Sequence, residues 1–295
     1  MRFGLITPVL TLLPRAHAGW ETSGDFADVA EIARAADRFG YDHLTCSEHV
    51  AIPATEAPIR GGRYWDPAPT LGAVAALTER VRLATFVIVL GYHHPLALVK
   101  RYGTLDRISG GRVVLGVGVG SLADEFALLD ARFDDRGARA DDAIRAIRAS
   151  WGRTEPVYHG SHFSFDGVTV DPAALHDSVP IWIGGRTPRS LRRAVVLGDA
   201  WAPFGLSPDD VARLIARART TDAWARRDDR LEVWLQPAPL DPVGDAPATV
   251  AALHALAAAG ATGTTVRFVH HSRSHLVEQM EAFAVIAEPI AGAET

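Results

Sequence analysis

The sequence predicts an α/β fold, a single (β/α)8 TIM barrel over residues 1–295 with a small β insertion after the fourth βα unit. Three observations carry this. Short apolar β-rich runs alternate with amphipathic helical patterns along the whole chain, as expected of parallel strands joined through helices. Eight such units fit in 295 residues, which suits a closed barrel better than an open sheet. No linker, internal repeat or low-complexity tract divides the chain, so one domain is expected.

Residues 3–6 open the series as a short buried strand. Phe26, Val29, Ala30, Ala33 and Ala36 stand at helical spacing and predict a helix over 24–39, which Gly40 stops just past its end. Residues 44–46 form the second strand, and a Pro- and Gly-rich loop leads to a helix over about 67–78. Residues 81–90 read as one long apolar strand, followed by a helix near 95–108. The fourth strand is 113–118, with helical segments across about 122–151. Residues 157–172 break the rhythm and carry the β insertion, in runs 157–160 and 163–167. Strands at 181–183, 200–202, 233–235 and 265–268 complete the set, each followed by a helical pattern.

Composition narrows the function classes. The net charge is −5 and basic residues are scattered, so no nucleic-acid partner is expected. No apolar run approaches the ~20 residues a membrane span requires. The sole cysteine, Cys46, forbids an internal disulfide and suits a reducing, cytoplasmic setting. The apolar N-terminal run is interrupted by Pro8 and Pro14, unlike a secretory leader. Lys100 is the only lysine among many arginines, so most arginines are read as solvated surface.

Chemistry in such a barrel gathers at the C-terminal ends of the strands. That rule selects Thr7, then Ser47, Glu48 and His49, residues 90–94, Gly118 to Ser121 and Gly184 to Arg186. It adds Pro203 and Phe204, Gln236, and His270 with His271. The glycines of Leu115-Gly-Val-Gly-Val-Gly-Ser121 let a planar ligand or a phosphate approach the backbone. Ser121 stands where the dinucleotide fingerprint needs its third glycine, and close barrel packing is the plain alternative. In residues 181–190, two glycines precede a helix signalled by Thr187 and Pro188. Its free N–H groups offer an anion site that Arg186 and Arg189 could reinforce, or are simply a helix start.

His49 at a strand end can exchange a proton near neutral pH, or be a hydrogen-bonded core histidine. Glu48 points to the opposite strand face and is expected to serve another contact. Trp20, Tyr64, Trp65, Tyr92, His93 and Phe204 fall in mouth loops, either lining an apolar pocket or packing those loops. The 12 histidines include no His-x-x-x-His pair with an acid between, and the adjacent pairs 93–94 and 270–271 point to opposite faces. No metal site is expected, which weakens the alternative of a metal-dependent barrel hydrolase. Gly-x-Ser-x-Gly and Walker motifs are absent.

Taken together, the strand ends resemble the luciferase-like flavin-dependent family, and within it the F420-dependent branch. The resemblance runs through residues 47–53, 81–90, 104–112, 115–120, 180–185 and 197–201, in the family's order. It implies a cofactor ring across the barrel mouth, F420 or alternatively FMN. It implies a bulge after strand three, with a non-proline cis peptide near Phe86 and Val87, supporting the back of the ring. Glu48 would contact the ring's polar edge. Gly118, Val119, Gly120 and Ser121, with Gly184, Gly185 and Arg186, would approach the cofactor chain and phosphate. His49 would be the proton donor beside hydride transfer. Some relatives carry a glutamate shortly after the strand-four glycines; here Ser121 stands there, with Asp124 and Glu125 further on. That departure argues against a sugar-phosphate dehydrogenase. The expected substrate is a small organic molecule, chosen by loops 8–23 and 50–66 and the insertion. The resemblance also implies a homodimer through helices near the second and third strands.

Overall fold

The computed structural model describes residues 1–291. Its first half comprises β1 (Arg2–Leu5), α1 (Phe26–Arg38), β2 (His43–Cys46), α2 (Ala57–Arg60), α3 (Pro67–Ala75), β3 (Arg82–Thr85), β4 (Ile88–Val89), α4 (Pro95–Ser109), β5 (Val113–Gly118), α5 (Ala123–Leu128) and α6 (Arg136–Ser150). A hairpin of β6 (Tyr158–His159) and β7 (Ser164–Phe165) follows. Then come β8 (Ile181–Gly184), α7 (Pro188–Leu197), β9 (Ala200–Ala202), α8 (Pro208–Arg219), α9 (Asp222–Ala225), β10 (Glu232–Leu235), α10 (Ala246–Ala258), β11 (Gly263–Val266) and α11 (Arg273–Ala291).

The strands run β3-β2-β1-β11-β10-β9-β8-β5, and pairing of β3 with β5 closes the ring. This is an eight-stranded parallel TIM barrel, because β3 and β4 are two halves of one strand position. The insertion hairpin lies after the fourth unit, where the sequence places it. Asp142 of α6 ties it down, accepting hydrogen bonds from Tyr158 Oη (2.6 Å) and the His162 and Phe163 N–H groups (2.7 and 2.9 Å).

Helix boundaries follow local chemistry. Asp25, Asp66, Thr187, Ser207 and Asp245 cap α1, α3, α7, α8 and α10 with side-chain oxygens. Gly40 takes the left-handed conformation beyond α1 (φ +76°). Two strands depart from the sequence reading. The long run 81–90 is interrupted at Phe86 and Val87. The last strand runs Gly263–Val266 rather than 265–268, and at its first residue only glycine fits, because the ring of Trp234 fills the side-chain space: an added β-carbon would lie 2.5 Å from the ring.

Alternation along the strands divides the interior in two. Ala84, Val114, Trp182, Ala200, Ala202 and Trp234 fill the barrel, where the indoles of Trp182 and Trp234 stack at 4.6 Å. His43 lies edge-on to both at 4.8 Å, bonded to Asp42 Oδ2 (2.8 Å) and Thr265 Oγ1 (3.1 Å). Outward residues such as Leu5, Leu83, Leu115, Ile181, Trp201 and Val233 pack against the helices in the larger core. Among the described residues, no helix is long and apolar enough to cross a membrane.

Candidate active site

The break in the third strand builds the floor of the barrel mouth. The Phe86–Val87 peptide is cis, as the resemblance implies, and the second strand braces it. Phe86 N–H donates to Cys46 O (2.8 Å), Ser47 Oγ donates to Phe86 O (2.7 Å) and Glu48 N–H to Val87 O (3.3 Å). Val87 is thereby seated over Gly118 and Gly184, at the ends of β5 and β8. A β-carbon on either glycine would lie 2.8 Å from a Val87 methyl. Their lack of a side chain thus makes room first for the protein's own valine.

Two carboxylate–imidazole pairs flank this floor, and they cross. Glu48 is buried; one oxygen accepts from Val89 N–H (2.8 Å), the other bonds His93 Nε2 (2.7 Å). Both oxygens are therefore engaged in holding the bulge. His49 instead pairs with Glu125, on the first turn of α5: Nδ1 lies 2.6 Å from Oε2. The same oxygen accepts from Tyr92 Oη (2.8 Å), while Oε1 accepts from Val50 and Ala51 N–H (2.7 and 3.1 Å). Glu125 is fully buried. Burial alone would raise its carboxyl, but the bonds from His49, Tyr92 and the backbone outweigh it and hold the group below the ordinary value. Burial, with the facing carboxylate, drives the Tyr92 phenol upward. The Tyr64 ring meets His49 edge-on at 4.5 Å.

A carboxylate accepts only, so Nδ1 of His49 carries a proton. Among the described residues His49 Nε2 has no hydrogen-bond partner, and a fifth of the side chain is exposed. Sequence reasoning noticed Glu125 without giving it a role. The signal was present: with Leu122, Phe126 and Leu129 it shares one helix face, so an acid there must be buried.

The remaining expected site residues line the same mouth. Val119 packs on the core, and Gly120 (φ +78°) presses against Phe126 and Val89. Ser121 is exposed and receives Arg60 at 3.5 Å. Gly185 O accepts the Trp201 indole N–H (3.0 Å), and exposed Arg186 lies 5.6 Å from the Phe204 ring. Of the mouth aromatics, Trp20 binds His270 (2.9 Å), whereas Trp65 packs against Phe26. No three His, Cys, Asp or Glu side chains among the described residues are grouped as metal ligands.

Comparison with known proteins finds the family model for luciferase-like monooxygenases matching residues 1–289. An uncharacterised protein of Mycobacterium tuberculosis is 29% identical over 225 residues, 72% of this chain and 77% of its own. The F420-dependent glucose-6-phosphate dehydrogenase of Nakamurella multipartita is 33% identical over 196 residues, 64% of this chain and 56% of its own. Among solved structures, a monooxygenase from Streptomyces bottropensis superposes with a TM-score of 0.76 at 24% identity, covering 98% and 99% of the two chains. An F420-dependent secondary alcohol dehydrogenase, solved with an F420–acetone adduct, gives 0.76 at 15% identity, covering 98% of each. At those identities the structural likeness establishes the fold alone.

Proposed function

The chain belongs to the luciferase-like monooxygenase family, and on that premise we propose that it is an F420-dependent oxidoreductase, moving a hydride between the deazaflavin and a small organic substrate. The observation that carries the reading is the His49–Glu125 pair beside the Phe86–Val87 bulge. The F420-dependent relative supports the choice of cofactor, while Ser121 in place of a glutamate argues against sharing its sugar-phosphate substrate.

The residues present suit such a cofactor. Val87, raised over Gly118 and Gly184, offers an apolar surface for one face of a planar ring. Gly118 to Ser121 and Gly184 to Arg186 would hold the chain and phosphate, the latter at the positive start of α7. Bound F420 supplies the carbon centre that carries the hydride. The protein supplies the proton path. Buried Glu125 stays ionised, fixes the Nδ1–H tautomer of His49 and opposes the charge of an imidazolium. Proton exchange with substrate then takes place at Nε2. Glu48 holds His93 and Val89, and through them the floor.

Parallel titration of the apo-protein with F420 and FMN tests the assignment. Binding of F420 at micromolar concentration or tighter, with negligible FMN binding, is expected. Preference for FMN would move the protein to the oxygen-inserting branch, and binding of neither would remove the assignment.

A further inference from the structure

Among the described residues, two buried nitrogens at the barrel mouth have no hydrogen-bond partner, Gln236 Nε2 and Arg267 Nε. Strand alternation turns both side chains inward. Trp234 faces the barrel interior against Trp182, so Gln236, two residues on, faces the same way. Thr265 reaches inward to His43, so Arg267 follows it. Just past β11 the chain stays paired, in an isolated bridge of Leu240 with Phe268 in which Leu240 N–H donates to Arg267 O (2.8 Å). β10 and β11 are neighbours, and β10 stands across the ring from β3 and its bulge.

Arg267 is exceptional in this chain. Every other arginine that is not exposed, among the described residues, has a hydrogen bond or a ring contact. Burial pushes Arg267 downward, and Glu21 is the charge that opposes this. Glu21 is itself buried and accepts from Val9 and Ala18 N–H (2.9 and 2.7 Å). His270 adds no charge, because its Nδ1 accepts the Trp20 indole proton and burial pushes its pKa down. Arg267 and Glu21 therefore already balance. A carboxylate or phosphate brought here would leave one buried negative charge in excess, whereas an uncharged acceptor would satisfy the donors and keep the balance.

We propose that Gln236 and Arg267 form a substrate subsite that recognises an uncharged carbonyl oxygen, such as that of an amide or ketone. β11 lies two strands from β2, so this oxygen sits on the order of 10 Å from the strand end bearing His49, at ~4.8 Å per strand. The inference rests on the oxidoreductase reading for the placement of substrate in the mouth. It also accounts for donors that folding alone would leave unsatisfied at a cost.

The test uses three probes with one scaffold, 4-phenylbutanamide, 4-phenylbutanoate and butylbenzene, measured by ligand-observed NMR on the full chain with and without F420. The amide is expected to bind at least about tenfold more tightly than the other two, as two satisfied buried donors imply. Gln236→Leu removes the donor, and Gln236→Glu replaces it with an acceptor; both should erase that preference. Gln236→Leu should melt at or above the wild-type temperature, whereas a structural hydrogen-bonding role would lower it. Tighter binding of the carboxylate, no amide binding at millimolar concentration, or a preference that survives both variants would overturn the subsite. F420 binding without amide preference overturns the subsite alone. Amide preference lost in Gln236→Leu, with no F420 binding, supports the subsite and removes the cofactor assignment.

Discussion

Glu125→Gln is the most informative single change, because the two ends of this carboxylate do different work. Oε1 accepts from Val50 and Ala51 N–H, and a glutamine oxygen can do the same. Oε2 accepts from both His49 Nδ1 and Tyr92 Oη, where the variant presents an NH2 group. Two donors then face a donor. His49 can respond only by moving its proton to Nε2, and Tyr92 must turn away. Losing one charge-assisted and one hydroxyl hydrogen bond in a fully buried place costs roughly 2–4 kcal/mol at neutral pH. The pH dependence has a definite sign. The folded-state pKa of Glu125 lies below its ordinary 4.5, so the stabilisation is fully present above that value and is lost as pH falls through the lowered one. Urea denaturation of both proteins at pH 7 and again at a pH below the lowered value measures the difference, and 15N NMR reads the His49 tautomer. Relocating the proton to Nε2 should also slow an established turnover by about 10²–10⁴-fold, the usual contribution of a positioned acid or base. A variant within about 0.5 kcal/mol of wild type at pH 7, well inside the loss expected of a buried charged hydrogen bond, with the proton still on Nδ1, would refute the reasoning.

Two further outcomes test the packing. Gly263→Ala should destabilise by about 1–3 kcal/mol, seen as a lower urea midpoint with unchanged slope, because the Trp234 ring it would strike is held against Trp182; Gly72→Ala, inside α3 with open space around it, should instead stabilise by up to about 1 kcal/mol. Burial pushes the Cys46 thiol up to about 12, so a disulfide reagent at pH 8 should modify it only as fast as the protein unfolds. Modification at the rate of a free thiol would show that the β2 face is open.

The repeating parts of this molecule are legible locally. Strand and helix order, the hairpin after the fourth unit and the capped helix starts follow from residues within a turn or two of one another. So does the presence of His49 and Glu48 at the end of β2. The break at Phe86 and Val87 is different, since residues 81–90 have the pattern of one continuous strand; resemblance to a family, not periodicity, pointed to it. The early start of β11 was hidden because Gly263 has no strand propensity of its own and is dictated by Trp234, 29 residues earlier.

By itself the sequence determined the parallel barrel and the order of its strands and helices, because period and parity are short-range properties that each segment carries with it. Only the tertiary structure decided which acid serves which base. Glu48 adjoins His49 in sequence yet holds His93, while His49 finds its carboxylate 76 residues away. Neighbours on a strand point to opposite faces, and closing the barrel brings separate strand ends together. That closure also set Val87 on two distant glycines and, among the described residues, left Gln236 Nε2 and Arg267 Nε without a hydrogen-bond partner.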